Sequence, residues 1–263
     1  MGDRGARLLL KTLRVLTPSV KPGVWRWLSP GLFVVGWLVV AMFQFVEYLP
    51  SPVAVAAVLV RDWHLLATDA VATSLRALGG FAIGAGLGVV VALGMALSGA
   101  VRAFLDPIVR VVRPAPLLAL IPLFILWFGL SEKGRILFIA VGCFFLTVIV
   151  ALEAIQNVPQ IYLRSGRSLG TEGMLLYILV VLPAILPGIY GGLRVALTTS
   201  FQLAIAAELL GAQTGLGFYL TEGAVTFQMT SMVAAVVVVS VLAFGADLAS
   251  KYLGRVAMPW LDT

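Results

Sequence analysis

The sequence predicts an all-α polytopic membrane protein with about six membrane-spanning helices, and three observations lead there. Of 263 residues, 61% are hydrophobic, 11% are charged, and the mean hydropathy is +1.06. A soluble domain carries roughly 25% charged residues, so this chain cannot cover a globule with polar surface, and it is too apolar to stay disordered. Charge-free stretches recur along its length, each near the roughly 20 residues an α-helix needs to cross about 30 Å of hydrocarbon. The net charge of +6 comes from Lys and Arg lying between the apolar runs. That distribution fits the basic bias of cytoplasmic loops and not a nucleic-acid surface.

Taken in order, residues 1–28 are a basic cytoplasmic arm suited to anionic lipid: Arg4, Arg7, Lys11, Arg14, Lys21 and Arg26 stand against Asp3, and Pro18 and Pro22 interrupt any helix. A signal peptide is the rival, but the basic part is too long and no small-x-small site closes the apolar part. The membrane domain occupies 29–255, and 256–263 is a short cytoplasmic tail. The first span is Gly31 to Val46; Pro50 and Pro52 end it, and the stretch to Arg76 reads as an external amphipathic segment. The second span, Ala77 to Ser98, has Gly80, Gly84 and Gly88 on one face, a surface for close helix packing. Arg102, Asp106, Arg110 and Arg113 then form a loop, and Pro114, Pro116 and Pro122 punctuate a third span ending near Leu130. Glu132, Lys133 and Arg135 turn the chain into a fourth span, Ile136 to Leu152.

Glu153 to Thr171 is a polar cytoplasmic loop of helical character. Beyond it, Gly173 to Leu193 carries no charge and could cross by itself, yet Pro183 and Pro187 break it; the alternative is a fifth span from about Ala184 to Leu210. The last span is Met229 to Ala249. Six crossings keep Arg164, Arg167, Lys251 and Arg255 on the side of the arm and leave Arg61, Lys133 and Arg135 opposite, so both termini are cytoplasmic.

Cys143 and His64 stand alone, so no disulfide, metal cluster or redox chemistry is expected. Hydrolase, metalloprotease and ATP-binding motifs are all missing from the sequence, so any ATP would be hydrolysed by another chain. Charges within spans are functional candidates because they are costly there, and Arg194 and Glu208 qualify. Arg194, Thr198 and Gln202 share a helical face, with Thr199 and Ser200 beside them, and could line a substrate path. Glu208 falls on another face and is suited to tying helices together. Asp247 should meet a basic residue or water, and Gly211 to Gly217 reads as an external turn.

Arg164-Ser165-Gly166, three residues, Gly170, nine residues, then Val180, one residue and Leu182-Pro183 is similar to the E-A-A-x3-G-x9-I-x-L-P motif of permease subunits in binding-protein-dependent ABC importers. The spacing matches; the first three letters differ, and Arg164 stands where the motif has glutamate. Leu105-Asp106-Pro107, Arg113-Pro114-Ala115-Pro116-Leu117, Leu126-Trp127-Phe128-Gly129-Leu130, Gly191-Gly192-Leu193-Arg194 and Ala207-Glu208-Leu209-Leu210-Gly211-Ala212 look like the nitrate, taurine and aliphatic sulfonate branch, a resemblance covering about residues 49–217.

The resemblance implies a type I ABC importer permease in a bacterial inner membrane, no enzyme itself and without a cofactor of its own. It implies a permease homodimer, an extracytoplasmic substrate-binding protein, and two ABC ATPase subunits that hold ATP and Mg. Within a coupling loop at about 153–182 it assigns ATPase coupling to Arg164, Ser165, Gly166, Leu169, Gly170, Val180, Leu182 and Pro183, with a short helix over about Ile161 to Leu169. The translocation path would be Arg194, Thr198, Thr199, Gln202 and Glu208, and the cargo a small anion such as a sulfonate, taurine or nitrate. Bicarbonate, a vitamin precursor, or a stand-alone channel or ion-coupled transporter are the alternatives; the last would require inverted repeats and more intramembrane carboxylates.

Overall fold

Apolar runs interrupted by proline and glycine give helices throughout the computed structural model, which describes residues 22–43, 48–209 and 211–257 and is all-α. The expected basic arm lies mostly outside the described residues. The chain divides after Ala56 into two units.

In the first unit, α1 (Pro22–Met42) starts on proline. Pro22 therefore opens a helix where the sequence reading had it interrupt one; a first-position proline gives up only an N–H that has no intrahelical partner. Trp37 Nε1 donates to the Pro50 carbonyl at 3.0 Å. Ser51 Oγ accepts from Ala54 N–H at 3.2 Å and caps α2 (Pro52–Arg61), a helix whose residues from Ala57 on belong to the second unit.

The second unit is built on α3 (Trp63–Leu97), α6 (Glu132–Gln156) and α11 (Met229–Ala257), together with a 36-residue stretch, Gly173–Glu208. These four are long and apolar enough to cross a membrane among the described residues, or five crossings if a pair bent by 87° counts as one. That pair joins α4 (Gly99–Val112) to a 3₁₀ turn (Leu117–Leu120) and α5 (Ile121–Phe128). Gly31–Met42 is a shorter apolar helix. Large apolar side chains such as Leu75, Leu87, Val90 and Val241 face outward, as lipid requires.

Three expectations are corrected. The loop drawn around Arg102 to Arg113 is helix α4: Ser98 caps it by accepting from Val101 N–H, and Arg110 pairs with Asp106 one turn away at 2.6 Å. The external segment before Arg76 is mostly α3 itself, which starts fourteen residues before the expected span. Pro183 and Pro187 do not break 173–208. A short helix α8 (Gly173–Leu176) passes through a π turn, Tyr177–Val181, into α9 (Leu182–Glu208). The Leu182 N–H reaches back five residues to the Tyr177 carbonyl, and the widened turn absorbs the donor that Pro183 lacks. The continuous helical stretch, about 54 Å long at 1.5 Å per residue, is one candidate span by length and composition, without the break that two crossings would need.

The glycine face of α3 lies against α6. A methyl group added at Gly84 would collide with the Ala140 backbone; at Gly80 it would meet Ile139 Cβ at 2.5 Å, and at Gly88 Thr147 Cβ at 2.8 Å. Backbone cannot step aside as a side chain can, so Gly84→Ala should lower stability in detergent by about 3 kcal/mol, read as a fall in the thermal midpoint; Gly79→Ala, with open space beside it, should leave the midpoint in place. The core along this seam contains Ala77, Phe138, Ile139, Cys143, Phe201 and Ala204, and continues at the other end through Ala92, Ala151, Val181 and Ile185.

Candidate functional site

Between α6 and α8 the chain forms α7 (Gln160–Ser168), one residue displaced from the expected helix. Its end is fixed by hydrogen bonds: Gly170 N–H donates to the Arg167 carbonyl at 3.0 Å, and Thr171 N–H to the Gly166 carbonyl at 3.1 Å. This paired closure requires a left-handed residue after the cap, and Gly170 takes φ +81°. The underside of α7 rests on the following helix. A Cβ at Gly166 would lie 2.6 Å from Leu176 Cδ1 and 3.0 Å from Val180 Cγ2. The spacing Gly170 to Val180 therefore has a spatial meaning: the second half of the motif folds beneath the first.

Leu163, Val181 and Leu182 share an apolar cluster, and Pro183 follows the π turn. Ser165, assigned to coupling together with Gly166, is exposed; the glycine makes the close approach. Outward, Ile161, Tyr162 and Leu169 are 63%, 50% and 84% exposed, with Arg164 and Arg167 exposed among them. This short helix has a packed base and an uncovered, apolar and basic outer face.

On α9, Arg194 Nη2 reaches Asp247 Oδ1 of α11 at 2.6 Å, and Lys251 Nζ lies 3.1 Å from the other carboxylate oxygen. Asp247 thus meets two basic groups. Thr198 Oγ1 hydrogen-bonds the Val195 carbonyl at 3.0 Å, and Ser200, fully buried, donates to the Leu197 carbonyl at 2.7 Å. Thr199 is half-buried and Gln202 exposed. The hydroxyls of Thr198 and Ser200 are turned onto their own helix, which leaves Thr199 and Gln202 as donors of the stripe beside Arg194, itself bonded to Asp247.

Glu208 lies elsewhere. Its side chain is fully enclosed and accepts from Arg76 Nη1 at 2.7 Å, Thr73 Oγ1 at 2.9 Å and Gly217 N–H at 2.9 Å. Arg76 also holds Glu132 through Nε and Nη2, each at 2.7 Å, and donates to the Thr214 carbonyl at 2.7 Å. Asp69 accepts from Gly215 N–H at 2.7 Å, Thr73 Oγ1 from Leu216 N–H at 2.9 Å, and Arg135 reaches the Gly211 carbonyl at 2.8 Å. Four segments, α3, α6, α9 and the turn 211–217, are locked together here. The turn leads into an unexpected short helix, α10 (Leu216–Val225), whose Leu216 and Tyr219 are buried against Leu66 and Ala235. Tyr219 donates to Asp62 at 3.0 Å, and the Arg61 guanidinium bonded to Asp62 holds that carboxyl below the usual range.

The lock sits at the N-terminal end of α6 and α7 follows its C-terminal end, so about 37 Å of helix separates them. The sequence reading missed Asp69, Thr73 and Arg76. Their spacing of four and three placed them on one helical face, but the span had been drawn from Ala77.

A family model described as "Binding-protein-dependent transport system inner membrane component" matches residues 84–256. "Taurine transport system permease protein TauC" of Escherichia coli (strain K12) is 38% identical over 174 residues, 66% of this chain and 63% of TauC, so the chain aligns with a little under two thirds of that relative. "Putative aliphatic sulfonates transport permease protein SsuC" is 34% identical in Escherichia coli (strain K12) over 86% of this chain and 84% of the relative. Its Bacillus subtilis (strain 168) namesake is 30% identical over 90% and 87%. Among solved structures, a chain of the MetNI methionine ABC transporter in an inward-facing conformation gives a TM-score of 0.55 at 22% identity, covering 76% of this chain and 95% of that one. A chain of an amino acid ABC transporter crystallised with histidines gives 0.60 at 18% identity, over 74% and 93%. At those identities the likeness is one of fold.

Proposed function

Because the chain belongs to the family of binding-protein-dependent transport system inner membrane components, we propose that it is the permease subunit of an ATP-driven importer for a small organosulfonate such as taurine. The single observation that carries this reading is α7: a helix seated on Leu176 and Val180, closed by Gly170, and presenting Ile161, Tyr162 and Leu169 outward. Such a protrusion is suited to a cleft on an ATPase, and its base is continuous with the 36-residue stretch through the π turn, so a push on it tilts α9 as a rigid body.

In this reading the α7 end is cytoplasmic, as are both termini. Two ATPase subunits bind ATP and Mg and hydrolyse it, this chain pairs with a second copy, and an extracytoplasmic binding protein delivers cargo to the opposite end. The relatives named for taurine and aliphatic sulfonates support the substrate class. The face of Arg194, Thr198, Thr199 and Gln202 is assigned to the path, where an anion would compete with Asp247 for the Arg194 guanidinium; enclosed Glu208 is assigned to the lock instead.

Uptake of labelled taurine into vesicles tests this. Uptake should require this chain, the ATPase and the binding protein together, and uptake by this chain alone would contradict the reading. Arg194→Gln should lower the uptake rate about tenfold, the loss of one charge-assisted contact; unchanged kinetics for every tested anion would remove the path assignment.

A further inference from the structure

At the α7 end of the second unit, a cleft of about 280 Å³ opens between the corner of α3 and α4, the end of α6, the start of α7 and the π turn. Its polar lining is Arg102, Gln156, Gln160 and Tyr177, and no carboxylate lines it. The volume corresponds to roughly nine waters at about 30 Å³ each, enough for a tetrahedral anion and a short substituent. Another cleft, beside Arg135, holds only about 20 Å³.

Arg102 differs from its neighbours. Arg61, Arg76, Arg110, Arg113, Arg135 and Arg194 each meet a carboxylate. Among the described arginines without one, Arg164, Arg167 and Arg255 are exposed, whereas Arg102 is half-buried and lines the cleft. A guanidinium, two side-chain amides and a phenol supply hydrogen-bond donors around one space with no fixed negative charge, which is the chemistry of an anion site. Pro159, at the cap of α7, offers the first-turn N–H groups no side chain, and that positive helix end also borders the cleft through Gln160.

We propose that this cleft is a binding site for a sulfate-, sulfonate- or phosphate-type oxyanion held by Arg102, separate from the face of Arg194. The group can come from a free anion or from a lipid headgroup phosphate. An occupant would touch both α7 and the α3–α4 corner, and so tie the protruding helix to the spans.

Binding of radiolabelled sulfate to the full chain in phosphatidylcholine nanodiscs, at constant ionic strength set with chloride, tests the site. Saturable binding is expected, weakened about tenfold by Arg102→Gln through loss of the charged donor and unaffected by Arg110→Gln, whose arginine is paired with Asp106 on the surface. Gln160→Ala should weaken it less, and serves if Arg102→Gln misfolds. In discs containing phosphatidylglycerol, loss of sulfate binding would assign the site to the lipid headgroup, and retained binding to the free anion. Non-saturable binding, or equal affinity in the wild type and Arg102→Gln, would overturn the proposal. Either result leaves the transport reading standing, because uptake rests on α7 and Arg194.

Discussion

Gly170→Pro should abolish transport-linked stimulation of ATP hydrolysis in the assembled complex while the chain still inserts and folds. Gly170 sits at φ +81° and donates its N–H to the Arg167 carbonyl. Proline is confined near φ −65° and has no donor, and it disfavours helical backbone in the residue before it, here Leu169 at φ −89°, ψ 9°. The local cost is about 3 kcal/mol or more. It falls on α7, whose outer face is uncovered, so the last turn of α7 unwinds and the spans keep their packing. Gly170→Ala, which pays only the left-handed penalty of roughly 1–2 kcal/mol, should retain part of the stimulation. The check is the ATPase rate with and without loaded binding protein; full stimulation in Gly170→Pro would show that the closure of α7 carries no force.

Removing the carboxylate at Glu208 should have the larger effect on stability. Glu208→Ala leaves Thr73, the Gly217 N–H and one arm of Arg76 without their shared acceptor inside the bundle. Breaking one side of such a buried pair costs about 3–5 kcal/mol, which should appear as a marked fall in the thermal midpoint and as faster amide exchange through 211–217. Arg76→Met with Glu208→Leu should recover much of the midpoint, because both charges leave together, and Glu132 is half exposed and still meets Arg135. A Glu208→Ala protein with the wild-type midpoint would mean that the lock contributes little.

Parts of this architecture were legible in the sequence for physical reasons. The apolar runs and the face of Gly80, Gly84 and Gly88 report burial and close packing directly, whereas α7 was placed to within one residue only through the resemblance of the stretch around Gly170 to the permease motif. Other parts were hidden. Arg102, Asp106, Arg110 and Arg113 read as a loop because charge density masks a helix that pairs its own charges at one-turn spacing and keeps Val109 buried. Pro183 read as a break because a π turn leaves no mark in composition. The lock escaped because its partners come from distant segments, with Arg76 and Glu208 separated by 132 residues. At Arg194 the charge was visible but its partner Asp247, on another span, was named only as a group that needed one. Thr198 looked available to a substrate, yet its hydroxyl bonds its own helix.

The central claim is that α7 is where an external motor grips the permease. Crosslinking from Leu169→Cys in a Cys143→Ala background tests it most directly, since Leu169 is 84% exposed and Cys143 is buried. The account predicts a crosslink to the ATPase subunit, reachable only by reagents admitted to the cytoplasmic side, and none from Gln213→Cys in the turn at the opposite end. Labelling of Leu169→Cys from the extracytoplasmic side, or a crosslink to the ATPase from Gln213→Cys instead, would contradict it.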